Sequence, residues 1–334
     1  MLEISPRNLR TWSMLGPCGA FGLAIQDLAD SGTDLAVVTA DLRFYSGLDR
    51  FALSHPNDCY NVGIAEQNLV GVAAGMAKEG SLVYATTYAT FASTRCLDQV
   101  RVNMSYMKLP VKLVGLTSGL SVGILGATHM SCEDLAIMRA LPNIMVLSPA
   151  DGLEVIKATQ AAATIEAPVY LRLPGGINTP LVYKEDYDFV VGKAVQLRAG
   201  TEICLVATGA MVAVAVSAAE QLESELGFEV GVLNMHTLKP FDENAIQDLQ
   251  NAGCELFVSL EEHSIIGGLG SALAEVLATK NNGKVSPLLT LGIRDTFPKA
   301  APYDRLLEEC GLTSEQVCVN IKERWAGLQD AQPE

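Results

Sequence analysis

Short apolar runs alternate with longer segments of helical period along the first half of the chain. Continuous apolar runs are typical of strands buried on both faces of a parallel sheet, whereas apolar positions three or four residues apart are typical of the helices that cover it. The runs predict strands at 35–41, 59–64, 82–87, 111–117, 144–149 and 169–173. The segments between these runs have a helical period, which predicts helices at 66–79, 92–107, 133–140 and 151–165.

One segment breaks this alternation. Residues 174–192 (PGGINTPLVYKEDYDFVVG) are rich in Pro, Gly and charge, which is typical of a connection between domains. After it the alternation resumes, with strand-like runs in EICLVATG, EVGVLNM, ELFVSLEE and PLLTLGI. We therefore predict an α/β fold of two domains, each a mostly parallel sheet with helices on both faces. The predicted boundaries are 1–180 for the first domain, 181–190 for the linker and 191–330 for the second, smaller domain.

Composition narrows the class of protein. The chain has 334 residues, which suits two domains, and 38 acidic against 23 basic residues give a net charge of −15. Nucleic acids and anionic membranes bind basic surfaces, so we expect neither as a partner. No run reaches the roughly 18 apolar residues of a membrane span. The eight cysteines are scattered, without a CxxC pair or a Cys/His cluster, which indicates reduced thiols, a cytoplasmic protein and no metal site in this chain.

Polar and aromatic side chains follow the predicted strands of the first domain. In open parallel sheets, ligands bind beyond the carboxyl ends of the strands, where side chains distant in sequence meet at one edge. The residues expected there are Asp41, Glu66, Tyr88, Thr117, Ser118, Ser148 and Arg172. This placement predicts a ligand site but does not name a reaction.

Each candidate also has a structural explanation, and the residues alone leave both open. Asp41 can be a turn or helix-cap residue, and Glu66 can be an acid in the first turn of a helix, where the macrodipole favours negative charge. Tyr88 and Phe91 can belong to the core, and His129 can be a loop residue. The segment GGLGSA (267–272) looks like a phosphate-binding loop but lacks the third spaced glycine.

Seven longer motifs occur in a fixed order: TADL (39–42), YNVGIAEQNLVGVAAGMA (60–77), TYATFASTRCLDQVR (87–101), GATHMSCEDLAIMRALPNIMVLSPAD (126–151), PVYLRLPG (168–175), VATGAMVAVAV (206–216) and LEEHSIIGGLGSALAEVLA (260–278). Together they resemble the C-terminal half of a transketolase, and more closely the smaller subunit of split transketolases. The resemblance runs from about Arg10 to Arg324. It implies a pyrimidine-binding domain followed by a transketolase C-terminal domain.

The resemblance implies an enzyme subunit that transfers a two-carbon ketol unit from a ketose donor, which we expect to be phosphorylated, to an aldose acceptor. The family uses thiamine diphosphate, bound across a subunit interface. One chain holds the diphosphate and a divalent ion such as Mg²⁺ through a GDG…N motif, and the other chain holds the pyrimidine ring. This chain has no GDG. The implied partner is therefore a separate N-terminal transketolase subunit, in an α2β2 assembly.

The resemblance also implies roles for single residues. Glu66 matches the glutamate that hydrogen-bonds N1′ of the aminopyrimidine, a contact that promotes loss of the C2 proton of the thiazolium. Tyr88 and Phe91 match aromatic residues that pack on the pyrimidine ring. Asp41 matches an aspartate near the cofactor and the subunit interface. His129 matches a histidine near the reacting centre, where it can take part in proton transfer.

The substrate-binding positions match the family less well. Arg172, and more weakly Arg10, match arginines that bind the substrate phosphate. The family carries a histidine at the position of Thr117 and an acidic pair at Ile124 and Leu125, and those groups contact sugar hydroxyls. Apolar replacements leave such hydroxyls unpaired, so we expect a different or less polyhydroxylated substrate.

Three other functions remain open. The β subunits of 2-oxo acid dehydrogenases and 1-deoxyxylulose-phosphate synthases share the IAEQ element of residues 64–67. The former pair with an α subunit and a lipoyl carrier, and the latter are normally single long chains. A non-catalytic regulatory paralogue is the third alternative, against which the presence of Glu66, Tyr88, Phe91 and His129 argues.

Overall fold

A computed structural model describes residues 2–279 and 286–330 of the chain. The strands are β1 (Leu35–Thr39), β2 (Cys59–Asn61), β3 (Leu82–Tyr88), β4 (Lys112–Ser118), β5 (Met145–Leu147), β6 (Val169–Pro174), β7 (Val195–Arg198), β8 (Ile203–Ala207), β9 (Gly231–Asn234), β10 (Thr237–Lys239), β11 (Leu256–Ser264) and β12 (Leu288–Ile293). The α-helices are α1 (Pro6–Asp30), α2 (Asp49–Ser54), α3 (Glu66–Lys78), α4 (Leu97–Gln99), α5 (Asp134–Ala140), α6 (Gly152–Ala163), α7 (Met211–Leu226), α8 (Glu243–Asn251), α9 (Leu269–Thr279), α10 (Tyr303–Cys310) and α11 (Ser314–Gln329). Two π-helical turns, Phe91–Arg95 and Val100–Tyr106, flank α4.

The strands form two sheets. The first has the order β10-β5-β6-β4-β3-β1-β2 and the second the order β12-β11-β8-β9-β7. All pairings are parallel except β10 with β5 and β7 with β9, which lie at sheet edges. The predicted fold class, two mostly parallel α/β sheets with helices, is therefore confirmed.

Helices cover both faces of the first sheet. In β1 the neighbouring residues Val37 and Val38 are both buried, and they belong to different hydrophobic clusters because successive strand residues point to opposite faces. Val37 packs in a cluster with residues of α1, α2 and α6, and Val38 packs in a cluster with residues of α3, α5 and the segment 91–106. This double burial explains why the strands are continuous apolar runs.

Helix α1 was not predicted from the pattern. It runs over 25 residues and is interrupted at Gly16, whose φ of 72° and ψ of 177° are not helical, next to Pro17. A Cβ on Gly16 would lie 2.0 Å from the carbonyl oxygen of Gly176, so only glycine permits this approach of the chain that follows β6. The kink explains why α1 lacks one clear apolar stripe.

Strand β10 was not predicted either. It lies in the second half of the sequence but belongs to the first sheet. Residues 237–239 follow the predicted linker, yet they pair antiparallel with β5 at the edge of the first sheet. The Nζ of Lys239 donates hydrogen bonds to the carbonyl oxygens of Arg139, at 2.9 Å, and Leu141. A strand of three residues has too short a pattern to predict its partner.

Candidate active site

The first side of the site is the loop after β1. Asp41 has a φ of 60°, in the left-handed region that aspartate tolerates better than most residues. Its Oδ1 accepts a hydrogen bond from Asn61 Nδ2 at 2.8 Å, and its backbone N–H donates to Asn61 Oδ1 at 3.1 Å. These bonds join the carboxyl ends of β1 and β2 beside a cavity of about 500 Å³. Asp41 thus occupies a turn, as the structural explanation expects. Its role in binding a cofactor stays a prediction.

Glu66 is the first residue of α3, and only 2% of it is exposed. The helix begins after Ala65, which has no capping side chain, so an acid in the first turn is favoured by the macrodipole. Burial of a carboxylate requires a partner. That partner is Arg95, whose Nη1 donates to Glu66 Oε1 at 2.8 Å. Arg95 was not among the predicted site residues, although it lies in the motif TYATFASTRCLDQVR.

An aromatic cluster of Tyr45, Tyr88, Phe91 and His129 lies at the same edge. The ring centroids are 5.9 Å apart for Tyr88 and Phe91, 5.8 Å for Tyr88 and His129, 5.3 Å for Phe91 and His129 and 6.4 Å for Tyr45 and Tyr88. Most of these contacts are edge-to-face, the arrangement that aromatic pairs prefer. Burial raises the pKa of Tyr88. The structure thus brings together three predicted residues from two separate segments, and adds Tyr45.

Arg95 connects the aromatic cluster to Glu66. Its guanidinium carbon lies 3.7 Å from the ring centroid of Phe91, within the range of a cation–π interaction. The side chain of Arg95 is 42% exposed, whereas that of Glu66 is 3% exposed. The ion pair therefore joins a half-exposed cation to a buried carboxylate.

Arg172 lies in a buried network between the two sheets. Only 1% of it is exposed. Its Nε donates to Asp134 Oδ2 at 2.9 Å and its Nη2 to the carbonyl oxygen of Glu262 at 2.9 Å. Tyr170 donates to the same Asp134 oxygen at 2.8 Å. Arg172 thus has a structural role in this network, and its predicted role toward a substrate phosphate stays a prediction.

Burial and neighbouring charges shift the pKa values of the groups around Arg172. Burial alone would raise the pKa of Asp134, but the charges of Arg172 and His263 and the hydrogen bonds from Arg172 and Tyr170 together outweigh it, so this pKa is lowered. Burial raises the pKa of Glu262. Burial alone would lower the pKa of His263, but its bond to Glu261 and the charge of that carboxylate reverse the direction and raise it. Opposite charges in contact stabilise one another where water is excluded.

The other predicted substrate residues are dispersed. Arg10 lies on an exposed part of α1, and within the described ranges no contact joins it to the aromatic cluster. Thr117 lies near the end of β4 with a φ of 48°, and its buried Oγ1 has no hydrogen-bond partner among the described residues. Ser118 and Ser148 are buried. Substrate roles for Arg10 and Thr117 stay predictions.

Ile124 and Leu125 lie on the outside of a 3₁₀ turn, Gly123–Leu125, shortly before His129 of the aromatic cluster. They are 77% and 48% exposed. The turn leads directly to His129, whose backbone N–H donates to the carbonyl oxygen of Gly126 at 3.0 Å. Two large apolar side chains thus face outward one turn away from His129.

The glycine-rich segment 267–272 does not form an anion site. The N–H groups of Leu269 and Gly270 donate to the two carboxylate oxygens of Glu261, at 2.7 Å and 2.8 Å. A Cβ on Gly268 would lie 2.0 Å from Glu261 Oε2, so glycine is required for this approach. The beginning of α9 is therefore filled by a carboxylate of the chain itself.

Metal ligands and membrane-crossing helices are both missing from the described part of the chain. In residues 2–279 and 286–330, no group of three or more His, Cys, Asp and Glu side chains is arranged to hold a metal ion. None of the described helices combines the length and the apolar character that crossing a membrane requires.

The fold and the site together define a class. A buried carboxylate and a cluster of aromatic rings at the carboxyl edge of a parallel sheet are typical of a ligand-binding α/β domain, here followed by a second α/β domain. Residues 18–177 match the family model described as "Transketolase, pyrimidine binding domain", and residues 192–317 match "Transketolase, C-terminal domain". The chain belongs to the transketolase family.

Similar proteins agree with this assignment. The chain is 39% identical to the 6-deoxy-6-sulfo-D-fructose transketolase subunit SqwH of Clostridium sp. (strain MSTE9), over 87% of this chain and 88% of that protein. It is 40% identical to an apulose-4-phosphate transketolase subunit of Actinobacillus succinogenes, over 79% and 84%. A solved split gene transketolase, an inactive beta4 tetramer, superimposes with a TM-score of 0.83 at 37% identity, covering 93% of this chain and 98% of that one. The prediction of a transketolase-type transferase subunit is confirmed.

A different activity is represented among the relatives as well. The 1-deoxy-D-xylulose-5-phosphate synthase of Dechloromonas aromatica is 36% identical over 91% of this chain, but the match covers only 48% of that enzyme. The subunits described above match over most of their own length, so split transketolases fit the chain better.

Proposed function

We propose that the chain is the C-terminal subunit of a split transketolase and transfers a two-carbon ketol unit between a ketose donor and an aldose acceptor. The observation that carries this proposal is the pairing of Glu66, almost fully buried, with the aromatic cluster at one edge of the first sheet. This is the set of groups that the pyrimidine end of thiamine diphosphate requires. The transketolase family implies dependence on this cofactor.

The residues present fit that end of the cofactor. Glu66 Oε1 is held by Arg95, while no partner for Oε2 occurs among the residues that the structure describes. We propose that Oε2 accepts a hydrogen bond from N1′ and that Phe91 and Tyr88 border the ring. When bound, thiamine diphosphate supplies the carbanion chemistry, and the protein contributes orientation and charge. We propose that His129, whose ring contacts those of Tyr88 and Phe91, moves a proton near the reacting carbon.

We further propose that a second chain completes the site, as the subunit names of the relatives suggest. Large apolar side chains are exposed around the carboxyl edge of the first sheet, including Phe44 at 73% after β1 and Ile64 at 77% after β2. Exposed apolar groups of this kind mark interaction surfaces. The proposed partner carries the GDG…N motif, binds the diphosphate and a divalent ion, and forms an α2β2 assembly with this chain.

The substrate is proposed to be a ketose with an anionic group. One relative is named for a sulfonated fructose and another for a sugar phosphate, whereas Arg172 of this chain is buried. We therefore propose that the partner subunit supplies most of the contacts to the anion. The exposed Ile124 and Leu125 favour a substrate with fewer hydroxyls at that side.

The experiment is reconstitution. The chain is purified with a companion subunit that carries GDG…N, and turnover is measured with thiamine diphosphate, Mg²⁺ and a panel of ketose and 2-oxo acid donors. Glu66→Gln should abolish most turnover in this complex, whereas Glu79→Gln, at the exposed end of the same helix, should not. Near-normal activity of Glu66→Gln would refute the role of Glu66. Cofactor binding by this chain alone at ordinary affinity would contradict the divided site.

The synthase alternative is tested by the same panel. A 1-deoxyxylulose-phosphate synthase-like enzyme uses a 2-oxo acid donor, and so does a 2-oxo acid dehydrogenase, whereas a transketolase uses a ketose. Turnover with 2-oxo acid donors but with no ketose would therefore refute the proposed ketol transfer and favour one of these two alternatives. Absence of turnover with every donor, in a complex that binds the cofactor, would favour the regulatory paralogue.

A further inference from the structure

Arg95 contacts two of the residues that the proposed function assigns to the pyrimidine ring, Glu66 and Phe91. Its Nη1 donates to Glu66 Oε1 at 2.8 Å, and its guanidinium group lies over Phe91 with the central carbon 3.7 Å from the ring centroid. Glu66 begins α3, whereas Phe91 follows β3. One side chain thus fixes the relative position of two groups that come from different elements.

The local backbone explains how Arg95 reaches both. Phe91–Arg95 is a π-helical turn, in which the N–H of Cys96 donates to the carbonyl oxygen of Phe91 at 3.3 Å. Residues four apart lie on the same side of a helical turn, and the side chain of Arg95 returns over the ring of Phe91. Thr94 Oγ1 secures the turn by donating to the carbonyl oxygen of Thr90 at 2.6 Å. Single π turns inside helices are rare and frequently occur at functional sites.

The contact gives the two oxygens of the Glu66 carboxylate different roles. Arg95 holds Oε1 with a charge-assisted hydrogen bond, which fixes the plane of the carboxylate. Oε2 has no partner in the part of the chain that is described, so it is the oxygen available to an incoming donor. The guanidinium also covers one face of Phe91, whose ring is inclined by 68° to that of His129. An arginine suits this task because its planar fork can stack and donate at the same time.

We propose that Arg95 is a positioning residue that orients Glu66 and Phe91 for the pyrimidine ring of the cofactor. This inference rests on the proposed function, because it takes Glu66 as the partner of N1′. Arg95 acts through Glu66 and is not itself a catalytic residue. The competing role is that of a mask, in which Arg95 blocks Glu66 in the free subunit and must leave before the cofactor binds.

The test compares Arg95→Met, Arg95→Lys and Arg95→Gln with the wild type, each in complex with the diphosphate-binding subunit. The control is Arg324→Met, which makes the same change at an exposed arginine of α11. Two quantities are measured besides turnover: the dissociation constant of thiamine diphosphate, and the rate at which its C2 proton exchanges with deuterium, followed by NMR after acid quenching. The exchange rate reports on the contact between Glu66 and the pyrimidine ring directly.

We expect Arg95→Met to slow C2 exchange by about tenfold to a hundredfold, as a small misplacement of a reacting group does. The dissociation constant should change by less than about threefold, because the partner subunit holds the diphosphate. Arg95→Lys should recover part of the rate, since it keeps the charge but loses the planar fork. Arg324→Met should match the wild type.

Several outcomes overturn the inference. Exchange at the wild-type rate in Arg95→Met shows that the orientation of Glu66 does not depend on Arg95. Faster exchange or tighter cofactor binding shows that Arg95 masks Glu66. If Arg95→Met does not fold, as judged by circular dichroism, the exchange rates and dissociation constants of Arg95→Gln and Arg95→Lys are compared with the wild type instead. Failure of the proposed function looks different, because then the wild-type complex itself shows no binding or exchange that depends on Glu66.

Discussion

Replacing Arg172 with methionine tests the role that the structure assigns to this residue. Arg172 and Asp134 form a buried ion pair whose side chains are 2% and 0% exposed. Methionine fills a similar volume but leaves the Asp134 carboxylate without its cation and the carbonyl oxygen of Glu262 without a donor. Breaking one side of a buried pair typically destabilises a protein by about 3–5 kcal/mol, so we expect the free energy of unfolding to fall by about 4 kcal/mol.

The double variant Arg172→Met with Asp134→Asn separates the ion pair from the volume of the side chains. Asparagine is neutral and can still accept the hydrogen bond of Tyr170, which donates to Asp134 at 2.8 Å. Because no unpaired charge is then buried, we expect this variant to recover more than about half of the lost stability. Arg305→Met removes an arginine that pairs with Glu308 and Glu309 on the surface, and it should change stability little.

The assay is equilibrium unfolding in urea. Trp12 lies in α1, which packs on the first sheet, and Trp325 lies in α11, which packs with the second sheet, so fluorescence reports on both. Because the Arg172 network connects the two sheets, Arg172→Met should also separate their unfolding transitions, which circular dichroism detects. An unchanged unfolding free energy would refute the structural role. A raised KM for a phosphorylated substrate without loss of stability would restore the substrate role.

Three further predictions concern other parts of the chain. His236 is buried, and its Nε2 has no hydrogen-bond partner among the described residues. Burial lowers the pKa of His236 from 6.5 to about 4. Between these two pH values, only the unfolded state binds a proton at this histidine. Stability should therefore fall by about 3 kcal/mol as the pH drops from 6.5 to 4, and His236→Gln should remove this dependence. Glu261→Ala should lower the free energy of unfolding by about 3 kcal/mol, because two hydrogen bonds from the beginning of α9 lose their charged acceptor. Phe91→Ala should weaken binding of thiamine diphosphate to the reconstituted complex by about tenfold, since it removes a ring at the proposed site and the platform of Arg95.

Each of these predictions has its own control. Urea unfolding of His236→Gln and the wild type at several pH values checks the first, and equal pH dependence of the two would contradict it. Glu261→Gln keeps one neutral acceptor and should lose less stability than Glu261→Ala, so equal losses would argue against the bonds to α9. For the third, Phe228→Ala changes a phenylalanine that contacts Trp325 in the second half of the chain and should leave cofactor affinity unchanged.

Local pattern determined much of the fold. The apolar runs that predicted strands at 35–41, 82–87 and 111–117 correspond to β1, β3 and β4, because strands covered on both faces must be apolar throughout. The helix at 66–79 was predicted to within a residue, since its apolar positions recur on one face. Both features depend on what lies near in sequence, so the sequence alone shows them.

Contacts between distant residues were not predictable in the same way. The position of Glu66 at the start of a helix follows from the sequence, but its bond to Arg95 depends on how α3 packs beside the segment 91–106. The placement of Arg172 at a strand end was equally visible, yet the side chain is enclosed because α5 and β11 close over it. Periodicity reports which face of an element is buried. Only the folded chain decides which groups that face meets, because that choice depends on surfaces brought together from far apart in the sequence.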